Sequence, residues 1–436
     1  MSTQRPSKYA WVIVLLLFLF MLVNFADKAV IGLAAAPIMK DLDLTPSQFG
    51  LVGSSFFFLY AVSGVVTGFV VNRIPTRWAL LAMGLIWAVT QFPMAGSVGF
   101  TTLIGCRVLL GAGEGPAYPV ALHSAYKWFP NELRTLPTAL ISQGASIGVV
   151  LALPALSYLI VRYSWHWAFA TLGLIGLVWA LGWLAFGREG PLLETPTPAD
   201  RQSYGRIPYR RLLLNRTVLA ACASGFGAYW GLSLMIAWLP HYLIKGLGYT
   251  QQQTGWLSTL PWACNVVVVI GAGWLSQRLL ARGYSSLVAR SLIGGGAVAL
   301  GGLALIVMPH IETPVLNLAF LVFGISVPSV IYVLSPAIVS EFTPVSQRGA
   351  MLTIVTAVAT SAGLLAPYVM GRIIESGATP SEGFHRGFLI CGVVSLIGGL
   401  IGMAFLRPGA EAARFAVADA ADATIRNRLI NAELAV

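Results

Sequence analysis

The sequence predicts an all-α integral membrane protein, with twelve transmembrane helices in two pseudo-symmetric six-helix bundles. Three observations predict it. First, 57% of the 436 residues are hydrophobic and only 10% are charged. Soluble domains carry about 25% charged residues, so this chain suits lipid better than water. Second, apolar runs of membrane-crossing length recur twelve times along the chain. Third, the loops that separate the runs repeat between the two halves.

The runs span about 10–36, 48–71, 78–98, 100–123, 137–161, 166–187, 217–240, 253–276, 287–309, 314–336, 349–371 and 386–406. Each is bounded by charges, Pro or a short polar turn. They are read as helices, because hydrocarbon offers no partner for an unpaired backbone group. They are continuous rather than alternating, which excludes a twelve-strand barrel. The first run is too long for a cleaved signal peptide, and no small-residue cleavage site follows it.

An even number of spans returns both termini to one side. With the N-terminus inside, twenty of the 27 Lys and Arg residues fall in inner segments. Lys40, Arg162, Lys245, Arg372 and Arg386 fall outside, and Lys28 and Arg107 lie within spans. The bias sets both termini in the cytoplasm. It also accounts for the net charge of +11 without nucleic acid. Short outer loops fit the inner (cytoplasmic) membrane of a bacterium. Cys106, Cys222, Cys264 and Cys391 all fall in predicted helices, so disulfides and metal sites are not expected.

The longest internal loop, 188–216, is basic and rich in Pro, and it divides the helices six and six. The expected organisation is a bundle at 1–187, a cytoplasmic linker at 188–216, a bundle at 217–406 and a cytoplasmic tail at 407–436. Repeats support the division. The loop "GFVVNRIPTR" carries Gly68, Asn72, Arg73 and Arg77; "GWLSQRLLAR" carries Gly273, Gln277, Arg278 and Arg282 at the same spacing. "FPNELR" (Pro130, Arg134) and "TPVSQR" (Pro344, Arg348) form a second matching pair. In membrane folds built from repeats, substrate sites lie between the halves near the midplane.

The Gly-x-x-x-[Asp/Asn]-Arg-x-x-x-Arg loop and its echo resemble the signature of the major facilitator superfamily. In that superfamily this loop latches the cytoplasmic gate, which the resemblance assigns here to Gly68, Asn72, Arg73 and Arg77. The usual acid is replaced by Asn72 and Gln277. Within the superfamily, "NFADKAVIGLAAAPI", "RVLLGAGEGPAYP", "SWHWAF" and "AWLPHYL", in that order, resemble the anion:cation symporter family. That family includes bacterial proton-coupled sugar-acid transporters.

Asp27, Lys28, Arg107 and Glu114 are the charges well inside the predicted spans, and all four lie in the first half. A charge at a helix centre costs about 2.5–3.5 kcal/mol. Such residues persist when paired or functional. Asp27 lies roughly 27 Å along the first helix from Tyr9, which brings it level with Arg107, a candidate charge partner. Arg107, Gly111 and Glu114 share one face of the fourth helix. Lys28 sits about 100° around from Asp27 and is expected to face the central cavity. Asp27 and Glu114 are then the proton-coupling acids, and Lys28 holds the substrate anion. The resemblance implies the same roles for the two acids. It places Arg where this chain has Lys28, and Lys lacks the planar fork that grips a carboxylate.

Tyr60 and Gln143 resemble substrate-contacting positions of the family. Trp238, Asn265, Tyr332 and Thr360 are expected to line the second half of the cavity. The five His residues fall near helix ends and are expected in solvent. No nucleotide loop, metal spacing or nucleophile–base set occurs, so the reading is a monomeric transporter, not an enzyme, with no cofactor. Its partners are a small organic anion, protons and the lipid bilayer. The function expected is proton-coupled uptake of a carboxylate. A proton-driven drug or metabolite exporter of the same fold is the alternative, and Lys28 and Arg107 argue against it.

Overall fold

The computed structural model describes residues 7–70, 74–129, 133, 135–191 and 207–415. Twelve helical spans follow one another. They are α1 (Lys8–Leu33), α2 (Pro46–Val70), α3 (Thr76–Gln91), α4 (Phe100–Glu114, resuming as Ala117–Tyr126), α5 (Thr135–Arg162) and α6 (Trp165–Phe186). The second set is α7 (Arg216–Ala237, then Leu239–Lys245), α8 (Gln251–Leu257, then Leu260–Ala281) and α9 (Leu287–Leu292, then Ile293–Val307). It ends with α10 (Pro314–Ser326, then Val330–Ser340), α11 (Val345–Thr360, then Ala362–Ser376) and α12 (Pro380–Phe405). Among the described residues 11 helices are long and apolar enough to cross a membrane. The twelfth span, α4, is interrupted at Gly115–Pro116. Pro116 has no N–H to continue the helix, and the interruption falls directly after Glu114.

Glycine sets the closeness of the helices. A Cβ on Gly111 would meet the Phe56 carbonyl oxygen at 1.8 Å, and one on Gly115 would meet that of Tyr60 at 2.0 Å. These two positions, one turn apart, press α4 against α2. Gly144 and Gly148 of α5 do the same against Phe18 and Leu22 of α1. Such small-residue contacts let membrane helices approach closely enough for dispersion to hold them. Many exposed side chains on the spans are large and apolar, as in Leu181 and Val267.

The two sets of six helices meet at the outer end. Three hydrogen bonds cross between them among the described residues. Gln251 Nε2 donates to the Leu33 carbonyl at 3.0 Å, and Ser157 Oγ donates to the Gln251 carbonyl at 2.7 Å. The Tyr368 N–H donates to Ser54 Oγ at 3.1 Å. Backbones also touch there: a Cβ on Gly32 would meet the Ile236 oxygen at 2.0 Å, and one on Gly50 would meet that of Pro367 at 2.4 Å. The outer side is therefore sealed.

One sequence expectation changes at the inner side. The segment Gln277–Arg282, read as a loop, is the end of α8, which stays helical to Ala281. Asn72, Arg73, Pro130 and Arg134 lie outside the described residues.

Candidate functional site

Lys28 and Glu114 form a buried ion pair. Lys28 Nζ lies 3.1 Å from Glu114 Oε2, and both side chains are almost fully enclosed. Lys28 Nζ also donates to Asn24 Oδ1 at 2.7 Å, one turn back on α1. The ammonium sits 4.3 Å from the Phe25 ring centroid and 5.3 Å from that of Tyr60. α1 supplies the cation and its amide partner from one face. The glycine-bearing face of α4 brings Glu114 up to meet them.

The pairing differs from the sequence expectation. Asp27 and Arg107 form no ion pair with each other. Asp27 is buried and approaches Gln91 of α3, with Oδ1 left without a hydrogen-bond partner. Arg107 is buried, with Nε and Nη1 unpartnered and its guanidinium 4.7 Å from the Phe56 ring. Glu114 Oε1 is likewise buried and unpartnered. Residues one apart on a helix point about 100° apart; here Lys28 reaches α4, while Asp27 points toward α3. Buried polar atoms without partners are rare in native proteins. Asp27, Arg107 and Glu114 all carry such atoms and lie together here, so the cluster has capacity for protons or a ligand.

Beside it lies a cavity of about 220 Å³ on the inner side of the outer seal. Tyr60 is its contribution from the first half. Tyr229, Tyr332, Ser335, Thr356 and Thr360 bring the polar atoms of the second half, and the remaining wall is apolar. Tyr229 packs edge-on to Phe57, at 5.7 Å, and to Tyr332, at 6.2 Å. Thr356 and Thr360 already donate to backbone carbonyls within α11. The Tyr332 hydroxyl is buried and free.

Of the residues expected at the site, Asp27, Lys28, Arg107 and Glu114 cluster, and Tyr60, Tyr332 and Thr360 reach the cavity wall. Gln143 of α5 and Asn265 of α8 are half-buried and absent from the wall of this cavity. Trp238 is a correction. It is fully buried at the outer seal, where its indole N–H donates to the Pro367 carbonyl at 2.9 Å and its ring meets Phe49 of α2 edge-on. It closes the outer side and does not line the cavity. His241 is a second correction: it is buried between Trp238 and Phe384, not in solvent. Asn24, Gln91 and Tyr229 were missed. Asn24 carried a signal, since it sits four residues before Lys28 on the same helix face.

Of the gating positions, Gly68 lies near the end of α2 and Arg77 at the start of α3. The Arg77 guanidinium donates to the Leu184 carbonyl at 2.9 Å. Its backbone N–H donates to Glu189, which also accepts from Thr76 Oγ1 and Lys127 Nζ. Partial burial pushes the Glu189 carboxyl up, but these hydrogen bonds outweigh it and hold the group below its ordinary value. Arg77 thus ties α3 to α6 at the inner face of the first six helices.

The family model of the Major Facilitator Superfamily matches residues 17–331. The chain is 26% identical over 413 residues to a hexuronate transporter of Bacillus subtilis, covering 92% of this chain and 96% of the relative. It is 24% identical over 423 residues to a D-galactonate transporter of Escherichia coli, again covering 92% and 96%. Among solved structures, it superposes on a bacterial homologue of the human lysosomal transporter Spinster, in an inward-facing, unoccupied state. The TM-score is 0.75, with 19% identity over 94% of this chain and 99% of that one. A D-xylose–proton symporter gives a TM-score of 0.74, with 17% identity over 92% and 99%. The match over most of the chain agrees with the twelve spans and the outer seal: the chain is a multi-pass membrane transporter that belongs to the Major Facilitator Superfamily.

Proposed function

We propose that this transporter couples the inward movement of protons to uptake of a small organic carboxylate by alternating access. The buried Lys28–Glu114 pair, which meets the cavity through the Tyr60 ring, carries the reading. Lys28 is a cation already desolvated and held, and its counterion is a carboxylate that a proton can neutralise. A buried charge stripped of its partner is costly. A substrate carboxylate that takes Lys28 therefore displaces Glu114, and Glu114 then accepts a proton. Asp27 and Arg107 form the second acid–base set beside it. The relatives named for hexuronate and galactonate support an organic anion as cargo.

The wall of the cavity narrows the cargo. Each hydroxyl of a polyhydroxy acid needs a partner when it leaves water. The wall offers three tyrosines and Ser335, and the threonine donors are spent within α11. An anion with a flat apolar or aromatic body fits this wall better than a sugar acid. The bundles at 1–187 and 217–406 rock about this site, with the arginine-bearing loops at the inner gate. We place the protein, as a monomer, in a bacterial inner membrane.

The test is uptake by purified protein in liposomes with an imposed inward proton gradient. The panel holds benzoate and hydroxybenzoates, gluconate and galactonate, and small dicarboxylates. Accumulation of a carboxylate that depends on the gradient is expected. Gradient-independent equilibration removes the proton. Outward movement of a cationic or neutral dye, with no anion uptake, favours the exporter.

A further inference from the structure

A second cavity, distinct from the transport site, lies on the inner face where the linker enters α7. Its volume is about 890 Å³. Arg210, Arg211, Arg216 and Arg414 line it, with Asn215 and Glu411. Arg210 and Arg211 stand on a short helix, Tyr209–Leu213, and Arg414 on the segment that follows α12. Arg210, Arg211 and Arg216 form no ion pair among the described residues. Glu411 reaches Arg414 alone, at 3.8 Å.

Two buried groups have unmet hydrogen bonds here. Asn215 is 5% exposed. Its Oδ1 caps α7 by accepting from the Thr217 N–H at 2.7 Å, while Nδ2 has no partner. Glu411 is 9% exposed, and its Oε2 lacks a hydrogen bond. The cavity thus offers several cationic donors and a buried amide donor to one part of a ligand, and a carboxylate acceptor to another. Its rim is apolar: Leu214 is 63% exposed, and neighbouring Tyr209 is 44% exposed. A soluble anion has no use for such a rim.

We propose that this cavity holds the headgroup of a phospholipid from the inner leaflet. The phosphodiester lies on Arg210, Arg211 and Arg216 with Asn215 Nδ2. A donor on the headgroup, the ammonium of ethanolamine or a hydroxyl of glycerol, meets Glu411. The acyl chains leave past Leu214. Basic clusters at the cytoplasmic ends of membrane helices attract phospholipid headgroups electrostatically, and a ligand that binds the folded state raises its melting midpoint. What this cavity adds is a buried acid and amide that read the headgroup.

The full chain in detergent is titrated with phosphatidylethanolamine, phosphatidylglycerol, phosphatidylcholine or inorganic phosphate, and its melting midpoint is followed. The first two are expected to raise the midpoint by several degrees more than phosphatidylcholine, whose choline has no N–H or O–H donor. The double variant Arg210→Ala/Arg211→Ala is expected to lose the difference. Asn215→Asp keeps a good helix cap and puts a repelling charge where Nδ2 was, so it folds and also loses the difference. A rise of the same size with phosphatidylcholine overturns the headgroup assignment. Inorganic phosphate reproducing the rise makes this a soluble-anion site instead. No rise, or a rise that survives in both variants, removes the site.

Discussion

The two halves of this transporter are alike in fold and unlike in chemistry. The first half buries Asp27, Lys28, Arg107 and Glu114 within its helices. Between Arg216 and Phe405 no acidic, lysine or arginine side chain among the described residues is buried. The second half supplies Tyr229, Tyr332 and Thr360 to the cavity, and Trp238 to the outer seal. On the proposed reading, a duplicated six-helix unit has divided the labour: one copy holds the charges that move, the other gives a neutral wall for the cargo. Four charges in one half are affordable because α1, α3 and α4 approach closely enough to shield them. The neutral half has no such cost, so its wall is free to follow the shape of the substrate.

The sharpest way to break this contrast is to remove the cation. Lys28→Ala takes away the anion's partner and strands Glu114. Truncating one member of a buried pair costs about 3–5 kcal/mol of stability; losing a charged, hydrogen-bonded partner at a binding interface costs about 2–5 kcal/mol, so substrate affinity is expected to fall by roughly thirtyfold or more. Binding titrated by intrinsic tryptophan fluorescence checks this. Unaltered affinity removes Lys28 from the site. The pair Lys28→Ala/Glu114→Gln should recover stability lost in the single variant without recovering binding, which separates folding from recognition.

Glu114→Gln is expected to separate coupling from binding. The amide cannot release a proton, so accumulation against a gradient should disappear. Exchange of preloaded substrate, which needs no net proton movement, should survive. Loss of both makes Glu114 a structural or substrate-binding group. The same substitution at Glu312 or Glu375, exposed acids of the second half, should leave coupling intact.

Gly32→Leu tests the boundary between the halves. Gly32 presses on the Ile236 backbone across the seal, so a side chain there should hold the outer side open. With the native cysteines replaced, a cysteine at buried Val52 is expected to react with an external maleimide several times faster in this variant. Gly111→Ala, a comparable clash within the first half, should lower stability and leave that labelling rate unchanged.

Most of the architecture was legible in the sequence because membrane helices announce themselves by length and hydropathy. The four charges were legible for the same reason: a charge in a long apolar run stands out. Who pairs with whom was not. Depth along two helices put Asp27 level with Arg107, but the rotation of α1 is fixed by Gly144 and Gly148 of α5, which no reading of α1 alone contains. Trp238 was misplaced because an aromatic at the end of a helix has the same sequence appearance in a cavity wall and in a seal. Tyr229 was missed because it lies among other aromatics, at Phe226 and Trp230, with nothing in its spacing to single it out.

The smallest expected effect lies in the neutral half. Tyr332 has a buried hydroxyl with no partner among the described residues, whereas Thr356 and Thr360 spend theirs on α11. If the wall reads its cargo through that phenol, Tyr332→Phe deletes one hydrogen bond and keeps the ring. A neutral hydrogen bond contributes about 0.5–1.5 kcal/mol, so affinity for a hydroxylated aromatic carboxylate should fall roughly two- to tenfold. Affinity for the unsubstituted analogue should hold or improve, because the variant no longer leaves a buried hydroxyl unpaired. Competition by the two ligands in one uptake assay reads the ratio directly. An equal loss for both assigns Tyr332 to packing around Tyr229, and the second half then shapes the cavity without recognising a substrate hydroxyl through this phenol.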